Sequence, residues 1–438
     1  MELVRKLKAR EVVQNPIRVG IVGCGQMGSG LAQAVAETPG MQVRVLADID
    51  LNRAIRTFSE LTVPPERVTH ARTASQAQDA MRVGRCVVTE DALLLPQIES
   101  LEAIVEATGV LDVGAHVAWE CIRQRKPIIM MTVETDVTVG YRLNHEARRV
   151  GAIYTAASGD EPGVCKMLHE QAILMGFEVV CLGKGKNNPI DMQATPESCA
   201  AEAAVKGMNP RILASFKDGT KTMVEMAAVA NSTGLVPDVP GMHGPRVELA
   251  DLERTFIPRR DGGIFAGSGR VDYSTGAIAP GVFAVVYSDN PRVRKDMKFI
   301  TRSEGPYYLH FRPYHLCDIE TPQSIAEAVL LGERTVTAEA MCAEVVCVAK
   351  RGLSAGEQVG GLGSADIYGR IYEYAVACKL QAMPLGLAPG GRVRAPIRAG
   401  EIMTASNFDP DRSTLIYRLR QEQDALPQSA IGETAGES

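Results

Sequence analysis

The chain has 438 residues, 45% hydrophobic and 23% charged, with a formal net charge of −5. That length exceeds what one hydrophobic core can serve and points to two or three domains, while the composition is that of a globular protein rather than a disordered or fibrous one. The acidic balance argues against a nucleic-acid or anionic-membrane partner but leaves room for a local basic pocket that takes a small anion.

The opening MELVRKLKAREVVQ has neither an apolar core nor a small-residue cleavage site, so it does not read as a secretory signal. No run approaches the roughly 18 apolar residues that span a bilayer. Ten cysteines are scattered singly with no CxxC pair, which reads as reduced thiols and no zinc site. The cytoplasm is the expected location.

Residues 17–24, IRVGIVGC, have the apolar, β-branched texture of a parallel strand buried on both faces. A helix is predicted from Gln26 to Thr38 and a second strand over 41–48. Between the first strand and the helix, Gly23-Cys24-Gly25-Gln26-Met27-Gly28 fits G-x-G-x-x-G, the turn that binds a dinucleotide. Gly23 permits the tight turn, Gly25 lets backbone approach a pyrophosphate and Gly28 allows close helix packing, while the helix start at Gln26 and Met27 offers amides to phosphate. Asp48, at the end of the second strand, is placed to accept ribose hydroxyls and to repel a 2′-phosphate. NAD is the expected cofactor, with NADP as the alternative through Arg53 or Arg56. Asp48 also reads as an ordinary turn acid, with Asp50 then taking its role.

Further strands are predicted near 86–91, 101–109, 127–133 and 152–158, separated by helices near 112–125 and 138–150; 52–85 is an elaboration longer than a simple crossover. This alternation predicts a doubly wound parallel sheet over residues 1–160. Thr108 and Gly109 end a buried strand at the carboxyl edge, where the nicotinamide half passes, although a plain strand-to-helix turn reads the same. Asp160 and Glu161 follow the last of these strands. They are candidates to polarise a substrate hydroxyl, yet Asp160 before Pro162 also reads as a helix cap. Two adjacent acids are thin evidence for a metal site without a third ligand, which Glu225 could supply, and no metal is expected.

Beyond Asp160, glycine, proline, asparagine and lysine become frequent, and an α+β substrate and oligomerisation domain with a largely antiparallel sheet is predicted over 161–338. In CLGKGKNNP, Lys184 and Lys186 point the same way if the segment is extended, with Asn187 and Asn188 beside them. This suits proton transfer and an anion, or else a basic surface loop. In KDGTKTMVEMAAVAN, Lys221 and Glu225 are four apart on one helix face, either a proton relay or an ordinary ion pair. His243 and Arg246 in GMHGPR, and Arg312 and His315 in FRPYHL, are loop residues suited to an anionic substrate group or to packing. From 339 to 425 a small β-rich domain is predicted, in which KRGLSAGEQV and APIRAGEIMT echo one another. Residues 426–438 are expected to be a disordered tail.

On VGIVGCGQMGSG, EATGVLDVGA, MMTVETDVTVG, SGDEP, GKGKNNP, DGTKTMVEMAAVANSTGLVPD, GMHGPR, VDYSTG, APGVF, FRPYHL and RAPIRAGEIMT, the chain resembles the homoserine dehydrogenase-related oxidoreductases that carry a C-terminal SAF (antifreeze-like) domain. Within them it is most similar to deoxyxylulose phosphate reductoisomerase-like proteins. The resemblance implies nicotinamide-dependent chemistry at a carbonyl or alcohol of a small polyol, hydroxy aldehyde or sugar phosphate, and a lysine–acid pair acting as in homoserine dehydrogenases. Two positions depart from it. Asp48 points to NAD where the reductoisomerase reaction uses NADPH, and Thr132-Val133-Glu134 stands where homoserine dehydrogenases carry a lysine. A homoserine dehydrogenase is the alternative enzyme; a SAF-domain carbohydrate-binding or flagellar-assembly accessory protein is the alternative class. The second domain's sheet suggests a homo-oligomer.

Overall fold

A computed structural model describes residues 2–427, so the expected tail lies, from residue 428 onward, outside the described residues. The chain packs into two compact units. The first comprises the chain up to Gly163 with Leu316–Thr337 and Arg418–Leu426, and the second comprises Val164–His315 with Ala338–Tyr417.

The first unit is an α/β structure built on seven parallel strands: β1 (Ile17–Val22), β2 (Met41–Ala47), β3 (Val68–His70), β4 (Cys86–Thr89), β5 (Ala103–Glu106), β6 (Ile128–Met130) and β7 (Tyr154–Ala156). Their spatial order is β3-β4-β2-β1-β5-β6-β7. Strand order therefore reverses between β1 and β5, which opens a crevice at the carboxyl edge where doubly wound sheets bind ligands. The chain between β2 and β4 supplies the helices Leu51–Glu60 and Ala74–Arg82 and the edge strand β3. Leu31, Ala32 and Val35 of the helix Gln26–Glu37 are fully buried with Ile17, Val19 and Ile21 of β1 in one core. Helix Val133–Val150 begins several residues before the expected 138, with Glu134 and Asp136 in its first turn where acids suit the amide-rich end. Residues 316–337 join this unit because Thr155 Oγ1 accepts the Thr335 and Val336 amides at 2.9 and 3.0 Å.

The second unit is organised around β8 (Glu178–Gly185), β9 (Val236–Pro237), β10 (Arg270–Ser274), β11 (Val282–Tyr287) and β12 (Tyr307–Arg312), ordered β12-β11-β8-β10-β9. The sheet is mixed rather than largely antiparallel. β11 runs antiparallel to β8 and β12, but β10 is parallel to both β8 and β9. The long helical excursion between β8 and β10 supplies the crossover that parallel pairing needs.

Two further ladders follow: β13 (Ala343–Ala349) against β14 (Ile367–Glu373), and β15 (Arg392–Val393) against β16 (Phe408–Asp409). Both belong to the second unit, and the first of them is supported by the buried helix Thr220–Thr233. Thr220 Oγ1 accepts the Gly369 amide at 2.8 Å, and Asn231 Oδ1 accepts those of Cys342 and Ala343 at 2.8 and 2.9 Å. The echoing phrases form equivalent turns. Leu353 and Ile397 exchange both backbone hydrogen bonds, and Gly356 and Gly400 share a left-handed φ of +83°, which glycine adopts without penalty.

Lys350, at the end of β13, donates to the carbonyls of Ala194 (2.6 Å) and Ser364 (2.8 Å) and lies 2.8 Å from the Asp218 carboxylate. Both side chains are almost wholly buried, so the ion pair has no water to replace a lost partner. Lys350→Met should therefore destabilise the protein by about 3–5 kcal/mol, read as a lower urea midpoint; a loss under about 1 kcal/mol, the range of exposed pairs, would contradict a buried pair.

Candidate functional site

The turn after β1 is built by steric exclusion. Gly23 has φ +95°, and a Cβ there would lie 2.7 Å from the Ala107 carbonyl oxygen. A Cβ on Gly28 would lie 1.8 Å from the Gly23 carbonyl oxygen, so only glycine lets the helix settle on the turn. Gly25 differs: its φ is −74°, and no atom lies within 4 Å of where its Cβ would be. Neither backbone nor packing asks for glycine there, and the space beside it is open. Helix Gln26–Glu37 starts at Gly25 with no side-chain cap, and Gln26 and Met27 are exposed, so its first amides face that space.

Asp48, just beyond β2, braces this turn. Its Oδ2 accepts the Cys24 amide at 2.7 Å and its Oδ1 accepts the Asp50 amide at 2.8 Å. Each oxygen keeps a second lone pair that can take a ribose hydroxyl. Asp50 is committed elsewhere, capping the next helix through the Asn52 amide at 3.1 Å.

Across the crevice, β5 ends at Glu106, whose side chain is fully buried. Its Oε1 accepts the Thr108 amide (2.8 Å) and hydroxyl (2.5 Å), and the Gly109 amide donates to Thr132 Oγ1 at 3.0 Å. Burial pushes the Glu106 carboxyl up, partly offset by hydrogen bonds from the Thr108 hydroxyl, the Thr132 hydroxyl and the Thr108 amide. Glu106 escaped the sequence reading, since nothing local distinguishes an acid closing an apolar strand from a solvated one.

In the second unit, β8 delivers Lys184 into a buried ion pair with Glu225, a residue 41 positions away on helix Thr220–Thr233. Lys221, the neighbour expected from i,i+4 spacing, lies 3.9 Å from the other Glu225 oxygen. Lys186, just past β8, donates to the Phe216 carbonyl at 2.7 Å, and among the described residues no carboxylate pairs with it. Burial first, and then the Lys184 ammonium, lower its pKa from 10.5 to about 8. Asn187 is exposed and Asn188 half-buried. Asp218, adjacent to this helix, serves Lys350 rather than Lys221, a pairing hidden from the sequence because its members are 132 positions apart.

Asp160 and Glu161 are buried at the start of helix Glu161–Leu174. His243 is pinned twice: its Nε2 lies 2.9 Å from the Asp238 carboxylate, and its amide donates to Asp272 at 3.0 Å. Arg246 on the same loop is exposed. The Arg312 guanidinium lies 4.6 Å from the Tyr314 ring centre, and His315 Nδ1 lies 2.9 Å from the Pro280 carbonyl oxygen. Asp238 and Asp272, which hold the His243 loop, were not singled out from sequence; each reads there as an ordinary polar interruption of an apolar segment.

Residues 159–321 match the family model described as oxidoreductase DRL, catalytic domain, and on that match the chain is an oxidoreductase. No curated protein matches the chain. Among solved structures it is similar to a probable dehydrogenase from Thermotoga maritima, at 11% identity over 72% of this chain and 90% of that one, with a TM-score of 0.41. It is also similar to the myo-inositol dehydrogenase from Lactobacillus casei in complex with NAD(H) and myo-inositol, at 11% identity over 69% of this chain and 68% of that one, with a TM-score of 0.34. Likenesses this distant say nothing of chemistry. No helix among the described residues is long and apolar enough to cross a membrane.

The lowered pKa of Lys186 has a thermodynamic consequence. Between about 8 and 10.5 the unfolded chain holds this proton more tightly than the folded one, so stability from this group rises with pH across that window, and the penalty is present in full below it. Relative to Lys186→Met, the wild-type protein should gain stability as pH rises from about 8 towards 10.5; parallel pH–stability curves would show that Lys186 is not perturbed.

Proposed function

We propose that the protein is a nicotinamide-dinucleotide-dependent oxidoreductase, preferring NAD to NADP, that acts on an alcohol or carbonyl of a small polyhydroxylated or anionic molecule: a polyol, a hydroxy aldehyde or a sugar phosphate such as deoxyxylulose phosphate. The observation that carries this reading is the open space at Gly25. Gly23 and Gly28 are explained by packing, but a glycine with room for a side chain and an uncapped helix start beside it is explained by a phosphate that comes close.

In this reading Gly23, Gly25, Gln26, Met27 and Gly28 hold the pyrophosphate, Asp48 takes the ribose hydroxyls, and Thr108 and Gly109 lie along the nicotinamide half. A carboxylate at the ribose also disfavours the extra phosphate of NADP. When bound, the nicotinamide supplies hydride exchange with a substrate carbon. Lys184 supplies the proton work: its ammonium gives a proton to a carbonyl oxygen, or its amine takes one from an alcohol, and Glu225 holds it in place. Lys186, half-deprotonated near pH 8, is a second amine in the same segment. Lys221 and Asp160 complete the candidate proton-handling groups. Asn187, Asn188, His243, Arg246, Arg312 and His315 are the candidate substrate contacts.

Gly25→Val should fold normally, because nothing occupies its Cβ position, yet weaken NADH binding by about tenfold or more, roughly 1.4 kcal/mol or above. Unchanged NADH affinity would remove the phosphate from this turn. Lys184→Arg keeps a positive charge opposite Glu225 but holds its proton too firmly to exchange it. It should lower kcat by roughly 10²–10⁴-fold while NADH affinity stays the same; a kcat near wild type would take Lys184 out of the chemistry.

A further inference from the structure

The two loops that flank the crevice of the first unit present opposite hydrogen-bonding character. After β1, the helix start offers amides without a side-chain cap. After β5, four successive amides are already committed inside the protein: Ala107 to the Val22 carbonyl (2.8 Å), Thr108 to Glu106 (2.8 Å), Gly109 to Thr132 Oγ1 (3.0 Å) and Val110 to Thr108 Oγ1 (3.1 Å). The Thr108 hydroxyl proton is committed as well, 2.5 Å from the same Glu106 oxygen. What Thr108 can still offer is a hydroxyl lone pair, so it can only accept. A phosphate, itself an acceptor, has nothing to bind on this loop.

Glu106 creates this condition. It is fully buried, and its Oε1 takes both Thr108 donors. Glycine at 114 leaves it room, since a Cβ there would come within 3.2 Å of Oε2.

We propose that Glu106 is a positioning residue that turns Thr108 into an acceptor for the carboxamide NH2 of the nicotinamide, and so selects dinucleotides that carry that donor. The inference rests on the cofactor reading given above and adds to it a division of labour: donors after β1 for the pyrophosphate, acceptors after β5 for the nicotinamide end.

The probes are oxidised NAD and 3-acetylpyridine adenine dinucleotide, in which a methyl group replaces the carboxamide NH2, and the readout is the ratio of their dissociation constants by calorimetry. Wild-type protein should favour NAD by about 5–10-fold, the effect of one hydrogen bond. Thr108→Val and Glu106→Leu should bring the ratio close to one, whereas Thr108→Ser and Glu106→Gln, which keep the hydroxyl and an accepting oxygen, should preserve it. A purely structural role for Glu106 would weaken both dinucleotides equally and leave the ratio unchanged. If Glu106→Leu fails to fold, Thr108→Val, at a partly exposed position, decides the matter alone. A ratio near one in wild type, or an unaltered ratio in Thr108→Val, overturns the proposal while leaving cofactor binding intact. Failure of wild type to bind either dinucleotide overturns the cofactor reading and this inference with it.

Discussion

A carboxylate at the end of one strand holding an amide in the turn of its neighbour is the contact on which the candidate cofactor site depends. The 2.7 Å hydrogen bond from Cys24 to Asp48 fixes the turn after β1 against β2, and only then can Gly23 take its left-handed conformation beside Ala107 and Gly28 settle on Gly23. These close approaches aim the uncapped helix start at the open side of Gly25. Asp48 thus shapes the turn and keeps lone pairs for the proposed ribose contact, two uses of one carboxylate that do not compete.

The second unit is organised by a different device, a buried helix that bears charge. Helix Thr220–Thr233 carries Glu225, which meets Lys184 from β8, and just before it lies Asp218, which meets Lys350 from β13. Buried ion pairs are weak sources of stability, because the cost of removing both charges from water nearly offsets their attraction. Their effect here is positional: each pins a lysine head group in a water-poor setting. Lys350, with two carbonyls besides its carboxylate, is satisfied and structural. Lys186, with one carbonyl, is not, and its lowered pKa records the difference.

What could be read from sequence alone was what is local in sequence. The glycine turn, Asp48 and the alternation of six of the seven strands are short-range patterns, and β-branched runs such as IRVGIV report burial on both faces directly, whereas the three-residue edge strand β3 lay hidden in the stretch read as an elaboration. The mixed character of the second sheet was not legible, because strand direction depends on long connections rather than on residue texture. Nor were the partners of Glu225 and Asp218, since i,i+4 spacing proposes Lys221 while the closer contact comes from a strand 41 residues upstream. Glu106 was hidden for a related reason: its importance lies in which donors surround it, and an acid at a strand end looks the same whether its neighbours are amides or water.

Calorimetric titration of the wild-type protein with NADH, beside NADPH, tests the central claim most directly. The account predicts saturable one-site binding of NADH, tighter than that of NADPH. Absence of binding heat with either coenzyme, from a protein whose melting profile shows it to be folded, would contradict it.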